Sequence, residues 1–220
     1  MPDTFDATTL LLGTTASLAV VHALLGLDHS LPFVALGRAR GWTLARTLLV
    51  TAVCGAGHVA SSVAIGAVGV GLGIATDALL WLESARGELA AALLFGFGLA
   101  YAAWAVWRRL RARDRPRPEA EDGAASADVT PWALFIVFVL GPCEPLIPLM
   151  VVPGVAGDWL VVAAVVGVFG LLTVAVMLAA VVAVHRGVGL IGAGRMGRHA
   201  DVAAGLVVAA SGAAVLWLGL

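Results

Sequence analysis

The 220-residue sequence predicts an all-α fold, a polytopic bundle of six transmembrane helices arranged as two inverted three-helix repeats. Three observations carry that expectation. Hydrophobic residues make up 61% of the chain and charged residues 12%, where a soluble domain has about 25% charged residues. Six apolar segments reach the roughly 20 residues that a helix needs to cross a hydrocarbon core of about 30 Å. The basic complement is 13 arginines and no lysine, and these arginines cluster on alternate connections, as the orientation rule for membrane proteins requires.

The first segment, 8–28, follows an N-terminus with Asp3 and Asp6 but no basic residue. It lacks the positive region of a cleavable signal and is expected to stay in the mature chain. Further spans are expected over 44–72, 89–107, 132–152, 159–184 and 201–220. None alternates as a barrel strand does, and only helices satisfy the backbone within a single segment in lipid. The mixed stretch 77–86 is expected at the interface before the third span. Trp42, Trp104, Trp107, Trp132, Trp159 and Trp217 fall near span ends, where aromatic belts sit.

Arg38, Arg40 and Arg46 fall at the first connection, Arg108 to Arg117 at the third, and Arg186, Arg195 and Arg198 at the fifth; only Arg86 lies elsewhere. The expected orientation is therefore a multi-pass protein of the cytoplasmic membrane, with both termini outside and the loop 108–130 inside. Segment 112–130 is polar, contains Pro116 and Pro118, and reads as a linker. It divides the chain into a first three-helix repeat, 1–111, and a second, 131–220.

Three spans per half make the halves run in opposite directions, which is the layout of an inverted repeat. The stretch from Leu25 to Pro32 has an echo from Leu140 to Pro148. Aligning Gly26 with Gly141 sets Asp28 opposite Cys143 and His29 opposite Glu144. In both, Gly and Pro interrupt a helix at depth. Polar groups at broken helices in matching places point to a binding site.

Ionisable groups inside spans are costly and need a reason. The candidates are His22, Asp28, His29, His58, Cys143 and Glu144, with Cys54 a further thiol. Imidazole and thiolate suit late first-row ions, with carboxylates compensating charge, whereas magnesium or calcium would want oxygen ligands. His22 and His29 are seven residues apart, about 10.5 Å along an intact helix. They meet at one ion only if the helix breaks near Gly26. Cys54 and His58, four apart, share a face.

A single histidine in a bundle is more often a hydrogen-bonding group than a ligand; three histidines with two carboxylates in three spans favour a site. Cys54 reads first as a small packing residue. His185 and His199 are expected in a solvated loop. The glycines of the second span read as close-packing devices. The GVGLIGAGRMG stretch at 187–197 follows no strand and is not a dinucleotide site.

The run His22-Ala23-Leu24-Leu25-Gly26-Leu27-Asp28-His29 resembles the first-helix His…Asp-His signature of nickel/cobalt transporters, and Gly57-His58 resembles their second-helix Gly-His motif. Five residues separate His22 from Asp28 where the signature usually has four, and 108–130 has no histidine. The wider resemblance is to the urease-accessory and sulfite-exporter types of the lysine-exporter superfamily. Gly141-Pro142-Cys143-Glu144-Pro145 with Pro148 is similar to the Pro-Cys…Pro element of its thiol-electron-carrier branch. The resemblance implies that His22, Asp28, His29 and His58 form a selectivity site.

The function expected is secondary transport of a divalent transition-metal cation of the nickel/cobalt class, not enzymatic catalysis. The ion is cargo, with no tightly bound cofactor. Expected partners are the ion, the bilayer and, at most, further copies of the chain; nucleic acid is not among them. Two alternatives stand beside it. A transmembrane thiol-disulfide carrier would need Cys54 and Cys143 to meet. An exporter of a small anion or organic solute would need cationic groups in the cavity, and the span map places no arginine mid-span.

Overall fold

A computed structural model describes residues 2–113, 130–190 and 199–218. Every element among them is helical: α1 (Pro2–Leu25), α2 (Leu31–Ala39), α3 (Leu44–Gly71), α4 (Thr76–Arg113), α5 (Thr130–Leu140), α6 (Leu146–Val155), α7 (Trp159–Leu190) and α8 (Ala200–Leu218). Five of these are long and apolar enough to cross a membrane: α1, α3, α4, α7 and α8. The chain is an all-helical multi-pass membrane protein. Leucines such as Leu10, Leu49, Leu160 and Leu171 are exposed around its outside, as a lipid-facing surface demands.

The fourth apolar segment differs from the single span expected over 132–152. It is two short helices, α5 and α6, separated at Gly141–Pro145. Pro142 lacks an N–H and disfavours helical geometry at Gly141. The first span, expected over 8–28, is followed by further helix where a connection is expected: α1 stops at Leu25, Leu27–His29 make a short 3₁₀ turn, and α2 starts with Pro32 in its first turn, where proline is tolerated. Both interruptions fall on the Gly/Pro stretches singled out in the sequence.

The third long helix starts at Thr76, well before residue 89. The mixed stretch 77–86, expected at the interface before the third span, is helical and continuous with that span. Glu83 and Gly87 are buried while Asp77, Trp81 and Leu82 are exposed, so the Glu83 face turns into the bundle. His185 lies within α7 and not in a loop. The linker lies mostly outside the described residues, as do Arg195, Arg198 and most of the glycine-rich stretch.

α4 packs most closely on α8, and α1 on α7. The α4–α8 seam is made of small residues. A Cβ at Gly205 would come within 2.6 Å of the Ala102 nitrogen, and one at Gly212 would meet the backbone of Ala91 and Phe95. Without a hydrophobic drive between helices in lipid, such close backbone approach is how they adhere.

The arginine-bearing helix ends meet at one end of the bundle. Arg38 Nη2 donates to the His185 carbonyl at 2.6 Å. Arg40 lies over the rings of Tyr101 and Trp104. Arg108 pairs with Asp201 at 2.8 Å, and Arg109 contacts His199. These contacts join the first, third and fifth connections, the three that the sequence assigned to one side. His199 is exposed, as expected, and also contacts Arg109.

Candidate metal centre

His22 sits in the last turn of α1, and His58 is buried near the middle of α3. Cys143 lies in the interruption between α5 and α6. One donor atom from each of the three lies within 4.8 Å of the others, a spacing able to hold one metal ion. Cys143 Sγ lies 3.9 Å from His22 Nε2. The residues come from both halves of the chain.

His29 completes the cluster of rings. Its centroid is 4.9 Å from that of His22 and 5.2 Å from that of His58. The intact-helix separation of His22 and His29 is abolished because α1 ends at Leu25. Gly26 makes this possible: a Cβ there would collide with the His29 ring. The His29 N–H bonds the Gly26 carbonyl at 3.0 Å, which folds the turn back across the helix end.

The His58 ring is oriented by its Nδ1, 3.2 Å from the Phe138 carbonyl oxygen. A carbonyl only accepts, so Nδ1 carries the proton and Nε2 keeps its lone pair. That is how outer partners prepare an imidazole for metal binding. His58 Nε2 and His29 Nδ1 are buried and have no hydrogen-bond partner. Buried polar atoms are nearly always paired, so the open Nε2 of His58, a residue that converges with His22 and Cys143, marks a place built for something that accepts a lone pair, whereas His29 Nδ1 lies against Gly26.

The carboxylates of the expected site stand apart from the three converging ligands. Asp28 is half-buried and lines a small cavity of about 30 Å³ with His58. Glu144 is exposed and lines a larger cavity of about 400 Å³ with His22. Cys54 does not join the site. It is buried among Leu134, Phe138, Met177 and Val181, whereas Cys143 belongs to a second apolar cluster with Leu146, Met150 and Phe169. Both thiols are free.

Sequence reasoning missed Glu83 and Arg86. Glu83 is 0% exposed. Its Oε2 accepts from Ser62 Oγ at 2.8 Å and from the Cys143 N–H at 3.1 Å, and its Oε1 pairs with Arg86. Arg86 Nη2 donates to Ser61 Oγ at 2.9 Å, to the Val139 carbonyl at 2.8 Å and, more weakly, to the Gly141 carbonyl. The last carbonyls of a helix carry partial negative charge and lack partners. Arg86 caps them at the end of α5, while Glu83 meets an amide just before α6. The pair thus matches the charges of both broken ends.

Arg86 lies within α4, a helix long and apolar enough to cross a membrane, just before the stretch 89–107 expected to span. Its guanidinium is already engaged by Glu83, Ser61 and two carbonyls, so it does not offer a free anion site. The available signal was the i, i+3 spacing of Glu83 and Arg86 with Gly87, Ala90 and Leu94 on one face of an otherwise apolar helix. No family model, curated protein or solved structure matches this chain.

Proposed function

We propose that this chain is a secondary transporter that moves a divalent transition-metal cation of the nickel/cobalt class across the cytoplasmic membrane. The observation that carries the reading is the convergence of His22, His58 and Cys143 within ligand distance, with the buried Nε2 of His58 left without a partner. Nitrogen and thiolate donors suit late first-row ions and discriminate against magnesium and calcium. Discontinuous helices from each half meet at the centre, as in transporters whose halves rock about a fixed midplane site.

In this reading His22, His58 and Cys143 bind the ion, and His29, whose ring packs against those of both histidines, is a further donor that would have to turn toward it. Asp28 and Glu144 compensate its charge from the adjoining cavities. The arginine-rich end faces the cytoplasm. The thiol-carrier alternative is not favoured, because Cys54 and Cys143 lie in different apolar clusters.

The test is ion flux into proteoliposomes, with nickel, cobalt, zinc, copper and manganese compared, for wild-type protein and His58→Ala. The expected result is flux of one or more of the later ions that His58→Ala abolishes while the protein remains folded. Absence of flux for every ion, or equal flux in the variant, would overturn the proposal.

A further inference from the structure

The centre has two unlike sides. On one side a cavity of about 400 Å³ is lined by His22, Ser84, Glu88 and Glu144, with Gly87 and Pro142 in its wall. The small chamber that holds Asp28 and His58 shares Gly87, Ala91, Pro142 and Val215 with it. The two spaces are therefore neighbours that share these four residues as a common wall. A Cβ on Gly87 would lie 2.8 Å from Pro142 Cγ. Inside the chamber, His58 is 2% exposed and its Nε2 is unpartnered.

On the other side the site rests on dry packing. The Phe138 ring lies 6.3 Å from the rings of both His29 and His58, and Phe33 packs on Phe138 at 4.7 Å. Leu36, Leu134, Met177 and Val181 continue the apolar cluster.

Depth follows from α4. Glu88 precedes Arg108 by twenty residues on that helix, about 30 Å along its axis. The larger cavity therefore lies toward the end away from the arginines. Ser84 and Glu88 are exposed on a membrane-crossing helix. About 30 Å is one hydrocarbon thickness, so Glu88 sits near the opposite membrane boundary, where it and Glu144 line the cavity. Glu88 and Glu144 give that space one sign of charge. Charged clefts with low-dielectric walls concentrate counter-ions and raise their arrival rate by roughly 10- to 1,000-fold.

We propose that this vestibule is the cation port of the centre. Glu88 and Glu144 collect a hydrated cation, His22 in the vestibule wall passes it to Cys143 and His58, and the gap between Gly87 and Pro142 is the throat. The centre meets this vestibule on one side and the Phe33–Phe138 layer on the other, and a separate apolar cavity of about 150 Å³ is lined by Arg38 and Val184 at the arginine-bearing end. The port rests on the reading of the centre as a metal site, but its charge selectivity is measurable without any metal.

The experiment uses full-length protein in oriented proteoliposomes, with both native thiols replaced by serine and Ser84→Cys as the reporter. Two membrane-impermeant methanethiosulfonates of similar size, one cationic and one anionic, are compared. The cationic reagent should react roughly tenfold faster or more, from the side away from the arginines only. Glu88→Gln with Glu144→Gln should bring the ratio close to that of a free thiol. His22→Cys serves as a second, deeper reporter with the same expected preference.

In protein with its native cysteines, Glu88→Gln with Glu144→Gln should slow zinc association at least about tenfold. Equal labelling by both reagents, labelling from the arginine side, or unchanged zinc association in that double variant would overturn the port. Charge-selective labelling in a protein that binds no metal ion would retire the transport reading alone. Charge-blind labelling with intact zinc binding would retire the port alone.

Discussion

The Sγ of Cys143 lies 3.9 Å from Nε2 of His22, across 121 residues of sequence and between the two halves of the chain. The contact exists because both strands of backbone are interrupted there. α1 ends three residues after His22, and Cys143 sits in the gap between α5 and α6. If the two are ligands to one ion, His22→Ala and Cys143→Ser should each weaken zinc or cobalt binding to the purified protein. The loss should exceed the roughly 10- to 100-fold typical of an outer partner. Titration calorimetry checks this, and wild-type affinity in either variant would remove that residue from the site.

A ligand cysteine binds metal as the thiolate, so occupation of the site should release about one proton per ion in weakly buffered solution. Cys143→Ser should release none from this position, while Cys54→Ser should behave as wild type. Proton release unchanged by Cys143→Ser would mean that another group supplies the charge.

Gly26 is held to glycine by the ring of His29, which occupies the space a Cβ would need. Gly26→Ala should therefore displace His29 and spare His22, lowering metal affinity by roughly 10- to 100-fold with little change in helix content. Measured affinity within a factor of two of wild type would show that the turn relaxes around the methyl group.

The positions of the breaks were legible in the sequence, because Gly26, Pro32, Gly141, Pro142 and Pro145 are local signals with local consequences. The histidines and Cys143 were legible as well, since each is an isolated polar residue in an apolar run. The role of α4 was not. Glu83 and Arg86 look like the polar edge of a span until α3 and α5 are packed against them, and only then do Ser62, Val139 and Cys143 become their partners. Asp28 and Glu144 illustrate the same limit. Sequence alignment of the halves brings them beside the ligands, whereas the fold sets each on the wall of a separate cavity.

Arg86 and Glu83 make different predictions from those of an ordinary ion pair. The cation serves carbonyls at the end of α5 and the anion serves the Cys143 amide. Exchanging them, Glu83→Arg with Arg86→Glu, should fail to restore metal binding, because each charge would then face the wrong end of a helix. Arg86→Lys should retain part of it. Loss of one partner leaves a buried charge, a change of about 3–5 kcal/mol, so Arg86→Gln should also lower thermal stability in detergent. Full recovery in the exchanged variant would reduce the pair to a simple salt bridge.

The α4–α8 seam predicts stability independently of the site. Gly205→Leu forces a side chain against the backbone of Ala102 and Gly98. Overpacking of this kind typically costs about 1–3 kcal/mol and should lower the unfolding temperature, while Gly13→Leu, where a Cβ meets nothing within 4 Å, should not. Equal unfolding temperatures for the two would contradict the packing described.

The most direct measurement on the centre is X-ray absorption at the zinc edge of the loaded, purified protein. The account predicts one sulfur at about 2.3 Å together with imidazole nitrogens at about 2.0–2.1 Å. Cys143→Ser should remove the sulfur and leave the nitrogens. A shell of nitrogen and oxygen alone in the wild-type protein, or a sulfur that survives Cys143→Ser, would contradict it.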